Sequence, residues 1–223
     1  MSKTATQAYI FDYGATLDTG GKHWGRVLWD AWKQARVPVS EVQFREAYVF
    51  TERLLGSTHI IRPDFTFRQM LSEKLRIELE HVGCLSYHQT ILEQVYKQTL
   101  GHTAHSREVL SRLPQQKVLV SNFYGNMPTV LREFGLDGLF LEIIESAVVG
   151  IRKPDPQIFS LGVKALGLPA DQVTVVGDSI EKDIRPAKLL GCQTVWLRGQ
   201  QWDDKAVDES LPDRIITDLE ELL

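Results

Sequence analysis

Cysteine is scarce in this chain: Cys84 and Cys192 are the only two among 223 residues, and neither belongs to a C-x-x-C pair. Such spacing excludes a disulfide framework and a cysteine-built metal site, and predicts two buried free thiols. Long apolar runs are missing as well. None reaches the ~20 residues that a membrane-spanning helix needs, and the opening MSKTATQ is polar, so a soluble cytoplasmic protein with no membrane partner is expected. Charge of one sign is not in excess either. A net charge of -4 with acidic and basic residues interleaved argues against a nucleic-acid surface and for a small ligand. Internal repeats, low-complexity tracts and flexible linkers are also lacking.

What the chain does have is a set of short apolar runs bounded by turn residues: AYIF, KVLV, LEIIES, VTVVGD, TVWL and RIIT. Continuous apolarity of this length fits strands buried on both faces, and therefore a parallel sheet. From Lys117 onward the runs alternate with the helical stretches NMPTVLREF, PDPQIFSLGVKAL and IEKDIRPAKLL, closed by Gly135, Gly167 and Gly191. The expected fold class is α/β, a doubly wound parallel sheet. Between Gly20 and Pro114 the texture changes to helix-period segments, HWGRVLWDAWKQARV, SEVQFREAYVFTERLLG, FTFRQMLSEKLRIELEHV and SYHQTILEQVYKQTL, with no strand. This predicts a core domain from residues 1–18 and 115–223, and a small all-helical cap, 19–114, over one end of the sheet.

Ligands of open parallel sheets bind outside the carboxyl ends of the strands, so the polar residues that follow each run are the first candidates. Asp12 follows AYIF, Ser121 follows KVLV, Lys153 follows AVVGIR, and Asp178 follows VTVVG with Asp183 about one helical turn on. A lone D-x-x-x-T after a strand is equally well a turn or helix cap. In KPDPQIF, Asp155 reads as a helix N-cap and Pro156 as the first helical residue, which leaves Lys153 needing a function. Together, a carboxylate nucleophile, a hydroxyl, a lysine and an acidic pair suit attack on an anionic centre assisted by a divalent cation. Asp12 and Asp178 offer hard oxygen ligands for Mg²⁺, and Lys153 and Ser121 could hold phosphoryl oxygens.

The stretches FDYGATLD, VLVSN, RKPDPQIF and VVGDSIEKD stand in the order of the four motifs of the haloacid dehalogenase superfamily. The chain resembles its phosphatase-type members, such as phosphoglycolate phosphatases, and the helical insert after the first motif resembles a C1 cap on a Rossmann-like core. The resemblance implies that Asp12 becomes an aspartyl-phosphate, that Ser121 and Lys153 bind phosphate, and that Asp12, Asp178 and the Gly14 carbonyl bind Mg²⁺. It places Asp183 beside Lys153, and Thr16 and Asn122 near a small phosphorylated or anionic substrate, in a monomer or homodimer.

One departure stands out. The common phosphatase motif is D-x-D-G-T, whereas this chain reads Asp12, Tyr13, Gly14, Ala15, Thr16. The second aspartate is the family's general acid–base, a role worth typically ~10²- to 10⁴-fold, and glycine cannot fill it. Phosphonatases carry alanine there and dehalogenases tyrosine, so both chemistries stay in view behind the phosphatase. A binding or regulatory protein with impaired catalysis is the reading of a different class. Three substitutes for the acid are open: a cap side chain such as Lys22, His23 or His59, a good leaving group, or metal-bound water. The cap aromatics Trp24, Trp29, Trp32, Phe44, Tyr48, Phe50, Phe65 and Phe67 read as core at helical spacing. His59 and Arg62, in STHIIRPD, read as loop residues, with a site role the lesser option.

Overall fold

Each apolar run becomes a strand because its side chains are buried on both faces of one sheet. The computed structural model describes residues 5–203 and 206–223, so residues 1–4 of the expected first core segment lie outside the described residues. The strands are β1 (Ala8–Phe11), β2 (Gln116–Ser121), β3 (Glu142–Glu145), β4 (Val173–Gly177), β5 (Gln193–Leu197) and β6 (Arg214–Ile216). They form one parallel sheet in the order β3-β2-β1-β4-β5-β6. The chain builds outward from β1 to β3, then crosses to β4 and builds the other way, so the crevice for a ligand lies at the carboxyl ends of β1 and β4.

Alternate strand residues serve two different cores. Ala8, Ile10, Val118, Val120, Val173 and Val175 pack with Ile158 and Phe159 of the helix Gln157–Leu166. Tyr9, Phe11, Leu119 and Val176 face the other way, into a cluster shared with Trp32, Phe44 and Leu71 of the helical insert. The two parts of the chain therefore bury apolar surface in common.

The insert contains α1 (Trp24–Gln34), α2 (Glu41–Ser57), α3 (Phe67–His81) and α4 (His88–Arg112), and no strand lies between β1 and β2 among the described residues. Ser40 with Gln43 and Thr66 with Gln69 form reciprocal capping boxes that start α2 and α3. Helix α4 runs well past the stretch SYHQTILEQVYKQTL and straight through Gly101. A glycine inside a helix costs about 1 kcal/mol, but Thr103, Ser106, Val109 and Leu110 continue the buried face beyond it, and that burial carries the helix on.

The insert is docked onto the helix α5 (Met127–Glu133). The Glu133 carboxylate accepts hydrogen bonds from the Phe67 and Arg68 amides in the first turn of α3, and from the Tyr96 hydroxyl at 2.9 Å. A carboxylate there meets both the unpaired amides and the positive end of the helix.

Gly135, Gly167 and Gly191 end their helices with φ of 64°, 65° and 85°, as anticipated. The Asp155 carboxylate accepts from the Gln157 amide at 2.9 Å, the expected cap. The stretch IEKDIRPAKLL departs from a plain α-helix: residues 180–184 form a wider π-helical turn before the helix Arg185–Leu189. Cys192 is buried and Cys84 only half-buried, both free. Trp32 and Phe44 are core, whereas Phe50 is 46% exposed, stacked on His81. No helix of the described residues is long and apolar enough to cross a membrane.

Candidate active site

At the carboxyl ends of β1, β2 and β4 the sheet opens into a cavity of about 180 Å³, roofed by α1, α2 and α3. Asp12 leaves β1 there, its amide donating to the Val176 carbonyl at 2.9 Å. Asp178 leaves β4 beside it. The Thr16 hydroxyl lies between the two carboxylates, 3.2 Å from Asp12 Oδ2 and 3.4 Å from Asp178 Oδ1, and accepts from the Asp178 amide at 3.1 Å. Thr16 thus braces the acids rather than facing open space.

Lys153 is buried among carboxylates. Its Nζ donates to Asp12 Oδ1 at 2.5 Å, to Asp183 Oδ1 at 2.8 Å and to the Val120 carbonyl at 3.2 Å. An ammonium has three N–H bonds, so every one is committed. Asn122 clamps the backbone of the same lysine, accepting from its amide at 2.9 Å and donating to its carbonyl at 3.0 Å. Both ends of the Asn122 amide therefore position Lys153. The Ser121 hydroxyl, at the end of β2, lines the cavity and has no protein partner among the described residues.

Asp183 reaches this cluster through a close approach. It accepts from the Ser179 amide at 3.0 Å, and its side chain folds over Gly177, where a Cβ would stand 2.5 Å from the Asp183 carboxyl carbon. The glycine of VVGD is thus needed for the acid six residues on to turn back.

One ammonium faces three buried carboxylates, and the charge shows. Oxygens of Asp12, Asp178 and Asp183 lie within 4.8 Å of one another. Burial pushes the Asp12 carboxyl up to about 6 against the opposing pull of Lys153. Burial, reinforced by Asp183 and Asp12, holds Asp178 well above the usual carboxylate range. Burial works against the Lys153 charge, yet the two carboxylates raise its pKa above the ordinary lysine value.

Gly14 lines the cavity, and a Cβ added there would meet nothing within 4 Å. Its φ lies outside the left-handed region; the left-handed residue is Ala15, at 66°. Such a conformation costs a non-glycine residue about 1 kcal/mol. Ala15 is held in it by its amide donating to Asp18 Oδ1 at 2.7 Å and its carbonyl accepting from the Gly21 amide at 2.6 Å.

Of the three side chains considered as substitutes for the acid, only His23 lines this cavity. Lys22 pairs with Asp30 and lines a separate pocket, and His59 is exposed beyond α2. Arg62 is also exposed, paired with Asp64. Trp24, Tyr48 and Phe67 do line the cavity, at the rim of the aromatic core.

Several cavity residues carry no signal in the strand-end reasoning. Glu52 of α2 accepts from Lys74 of α3 and from the Tyr124 hydroxyl of the core at 3.1 Å. Asp18, pushed up to about 8 by burial, accepts from the Trp24 indole at 3.0 Å. Arg152 and Lys182 are exposed at the mouth. These two cations stood directly beside Lys153 and Asp183 in RKPD and EKD, so adjacency alone could have flagged them.

The chain is 38% identical over 93 residues to a glyceraldehyde 3-phosphate phosphatase of Methanocaldococcus jannaschii, a match covering 42% of this chain and 40% of that one. The chain thus spans less than half the length of that relative. It is 29% identical over 195 residues to a phosphoglycolate phosphatase of Vibrio cholerae, covering 83% of this chain and 80% of that one. The fold is similar to that of the magnesium-bound HAD-hydrolase YfnB of Bacillus subtilis, with a TM-score of 0.59 at 19% identity over 98% of this chain and 97% of the other. A family model matches residues 8–191, and the chain belongs to the haloacid dehalogenase-like hydrolases.

Proposed function

We propose that this protein is a Mg²⁺-dependent phosphatase that hydrolyses a small phosphorylated metabolite through an aspartyl-phosphate on Asp12, with residues 19–114 acting as a cap over a core of residues 1–18 and 115–223. The observation that carries the reading is the buried Lys153 ion pair with Asp12 and Asp183, beside the unpartnered hydroxyl of Ser121, at the open end of the sheet. The relatives named above are phosphatases of small phosphorylated compounds.

The donor set fits Mg²⁺. Three buried carboxylates share one ammonium, and such hard oxygens in excess negative charge suit a small divalent cation. Asp12, Asp178 and the Gly14 carbonyl would hold the ion, which supplies positive charge to the phosphoryl oxygens. Ser121 binds those oxygens from the protein side, and Lys153 joins it by exchanging one of its three protein acceptors for a phosphoryl oxygen. An Asp12 carboxylate oxygen forms the new bond to phosphorus as the bond to the leaving oxygen breaks, and water later cleaves the aspartyl-phosphate to free Asp12 and inorganic phosphate. Arg152 and Lys182 at the mouth favour an anion's approach.

Gly14 weakens the acid–base part of this cycle, so activity is directed to phosphates whose leaving oxygen needs little protonation, such as acyl and aryl phosphates. The test is a turnover screen of phosphate esters, acyl phosphates, phosphonates and haloacids with and without Mg²⁺, with Asp12→Asn as the blank. Metal-dependent phosphate release abolished in Asp12→Asn is expected; release that survives it, or none from any compound, overturns the reading. Gly14→Asp, for which the loop leaves room, should raise turnover of simple alkyl phosphates by ~10²-fold.

A further inference from the structure

His23 caps α1, and the way it does so fixes its proton. Nδ1 accepts the Gly25 amide at 3.0 Å, so in the neutral ring the proton is on Nε2. Nε2 has no hydrogen-bond partner among the described residues, and the residue lines the cavity that holds Asp12 and Gly14. Burial, with Lys182 and Lys74 nearby, pushes the ring's pKa down to about 4, so it is uncharged near neutrality.

The ring is also held still. The His23 amide donates to the Gln200 carbonyl at 2.9 Å. The imidazole stands 6.3 Å from the Tyr48 ring and 5.3 Å from the Trp202 ring, which are themselves 5.0 Å apart. Trp202 in turn occupies the space where a Cβ on Gly25 would stand, 1.8 Å from its ring. A fixed donor in a site shielded from water stabilises developing negative charge without reorganising.

Other donors around the cavity are wholly or partly spent: the Tyr124 hydroxyl of the core and one N–H of Lys74 on the helical wall donate to Glu52. Asp18 is fully buried, and each of its carboxyl oxygens already accepts an N–H, one from Ala15 and one from Trp24. The Tyr48 hydroxyl and the two further N–H bonds of Lys74 are the remaining competitors among the described residues of that wall, and both enter the test.

We propose that the Nε2–H of His23 donates a hydrogen bond to the oxygen of the leaving group, in place of the acid side chain that Gly14 lacks, and that it can assist only the first of the two half-reactions. The proposal rests on the phosphatase reading. In the first half, the Asp12 oxygen bonds to phosphorus and the phosphorus–oxygen electron pair leaves with the leaving group, whose charge His23 steadies until solvent water protonates it. In the second half, the attacking water must lose a proton. His23 has no lone pair to take it, because Nδ1 accepts from Gly25 and Nε2 already carries hydrogen. Hydrolysis of the aspartyl-phosphate is therefore the slow step, and the phosphorylated protein accumulates.

The experiment is rapid-quench kinetics in Mg²⁺ with a series of aryl phosphates of rising leaving-group pKa, following phenol release and, by intact-protein mass, the phosphorylated chain. His23→Asn keeps an acceptor for the Gly25 amide but lacks the distal N–H; His23→Gln places an amide N–H near the position of Nε2. We expect a burst in the wild type. In His23→Asn the burst should slow by ~10²-fold for the poorest leaving groups and far less for nitrophenyl phosphates. The later hydrolysis rate should stay unchanged, and His23→Gln should recover part of the loss. Equal slowing of both phases, an unchanged leaving-group dependence, or the same change produced by Tyr48→Phe or Lys74→Met instead overturns the inference. So does Asp12-dependent turnover with no accumulation. A wild type that never becomes phosphorylated and releases no phosphate overturns the phosphatase reading itself.

Discussion

On the core wall of the cavity, Lys153 has three N–H bonds and three acceptors; inside the helical insert, Glu78, one turn along α3 from Lys74, has two acceptor oxygens and no donor among the described residues. Both groups are buried. The core wall gathers charge and satisfies it, because Asp12 and Asp178 leave strand ends at the same edge of one sheet and the π-helical turn 180–184 brings Asp183 back to them. Lys74, the nearest cation to Glu78 on its own helix, is instead drawn to Glu52 at the cavity, and Glu78 is left to burial, which pushes it up to about 8. A polar group serving a site is thus met by partners, whereas one stranded by another pairing is kept neutral.

The contrast breaks hardest at Lys153. Lys153→Met leaves three carboxylates without their ammonium, and removing one partner of a buried pair costs about 3–5 kcal/mol. Chemical denaturation at pH 7 should show that loss. It should shrink toward pH 4, where the unfolded chain also begins to protonate its aspartates. A second change, Asp183→Asn, should recover part of the stability but none of the turnover. A Lys153→Met protein as stable as the wild type would mean that the cluster is wetter or looser than its hydrogen bonds imply.

Glu78 should respond with the opposite sense. Its folded pKa lies above the 4.5 of the free side chain, so its stabilising contribution is fully present below that value and is lost as pH rises toward about 8. Glu78→Gln keeps the shape and removes the titration. The two proteins should therefore be similarly stable near pH 5, with the variant ahead by on the order of a few kcal/mol above pH 8. Parallel stability curves would show that Glu78 has a partner or water that neutralises it.

The same contrast marks what could be read from the sequence. Asp12, Ser121 and Asp178 were legible because parallel strands end at a common edge, so a residue's place after an apolar run is already its place in space; the run AVVGIR before Lys153 is instead the short helix Ser146–Val149 and a loop, which carries the lysine in. The six runs became the six strands for the same reason. Helical spacing tells which face is buried but not against what. Glu52, Lys74 and Tyr124 meet across three separate elements, and their pairing has no local signature. Asp18 lay within the quoted stretch, yet its role depends on the left-handed turn at Ala15, where alanine gives no warning. Asn122 and Thr16 were found at the site, but their partners are Lys153 and the two aspartates.

The join between the two walls is where the smallest change should give the most telling sign. After β5, the chain crosses back over α1 and α2: Gly21 and Gly199 touch backbone to backbone, the Arg26 side chain donates to the Gln201 carbonyl at 3.1 Å, and Arg45 lies 4.2 Å over the Trp202 ring while pairing with Asp203 at 3.0 Å. Gly25 is the notch into which Trp202 fits. By helix propensity alone, Gly25→Ala should stabilise by up to about 1 kcal/mol. Here the added methyl occupies the space of the indole, so Trp202 must leave, and with it the stacking on His23, Tyr48 and Arg45. The expected net effect is a loss of about 1 kcal/mol, with faster amide exchange in residues 199–203 and a His23 ring whose NMR signals broaden. A gain in stability with unchanged exchange would show that Trp202 shifts without cost, and that the two walls of the cavity are held together by the shared apolar cluster and the Glu133 dock alone.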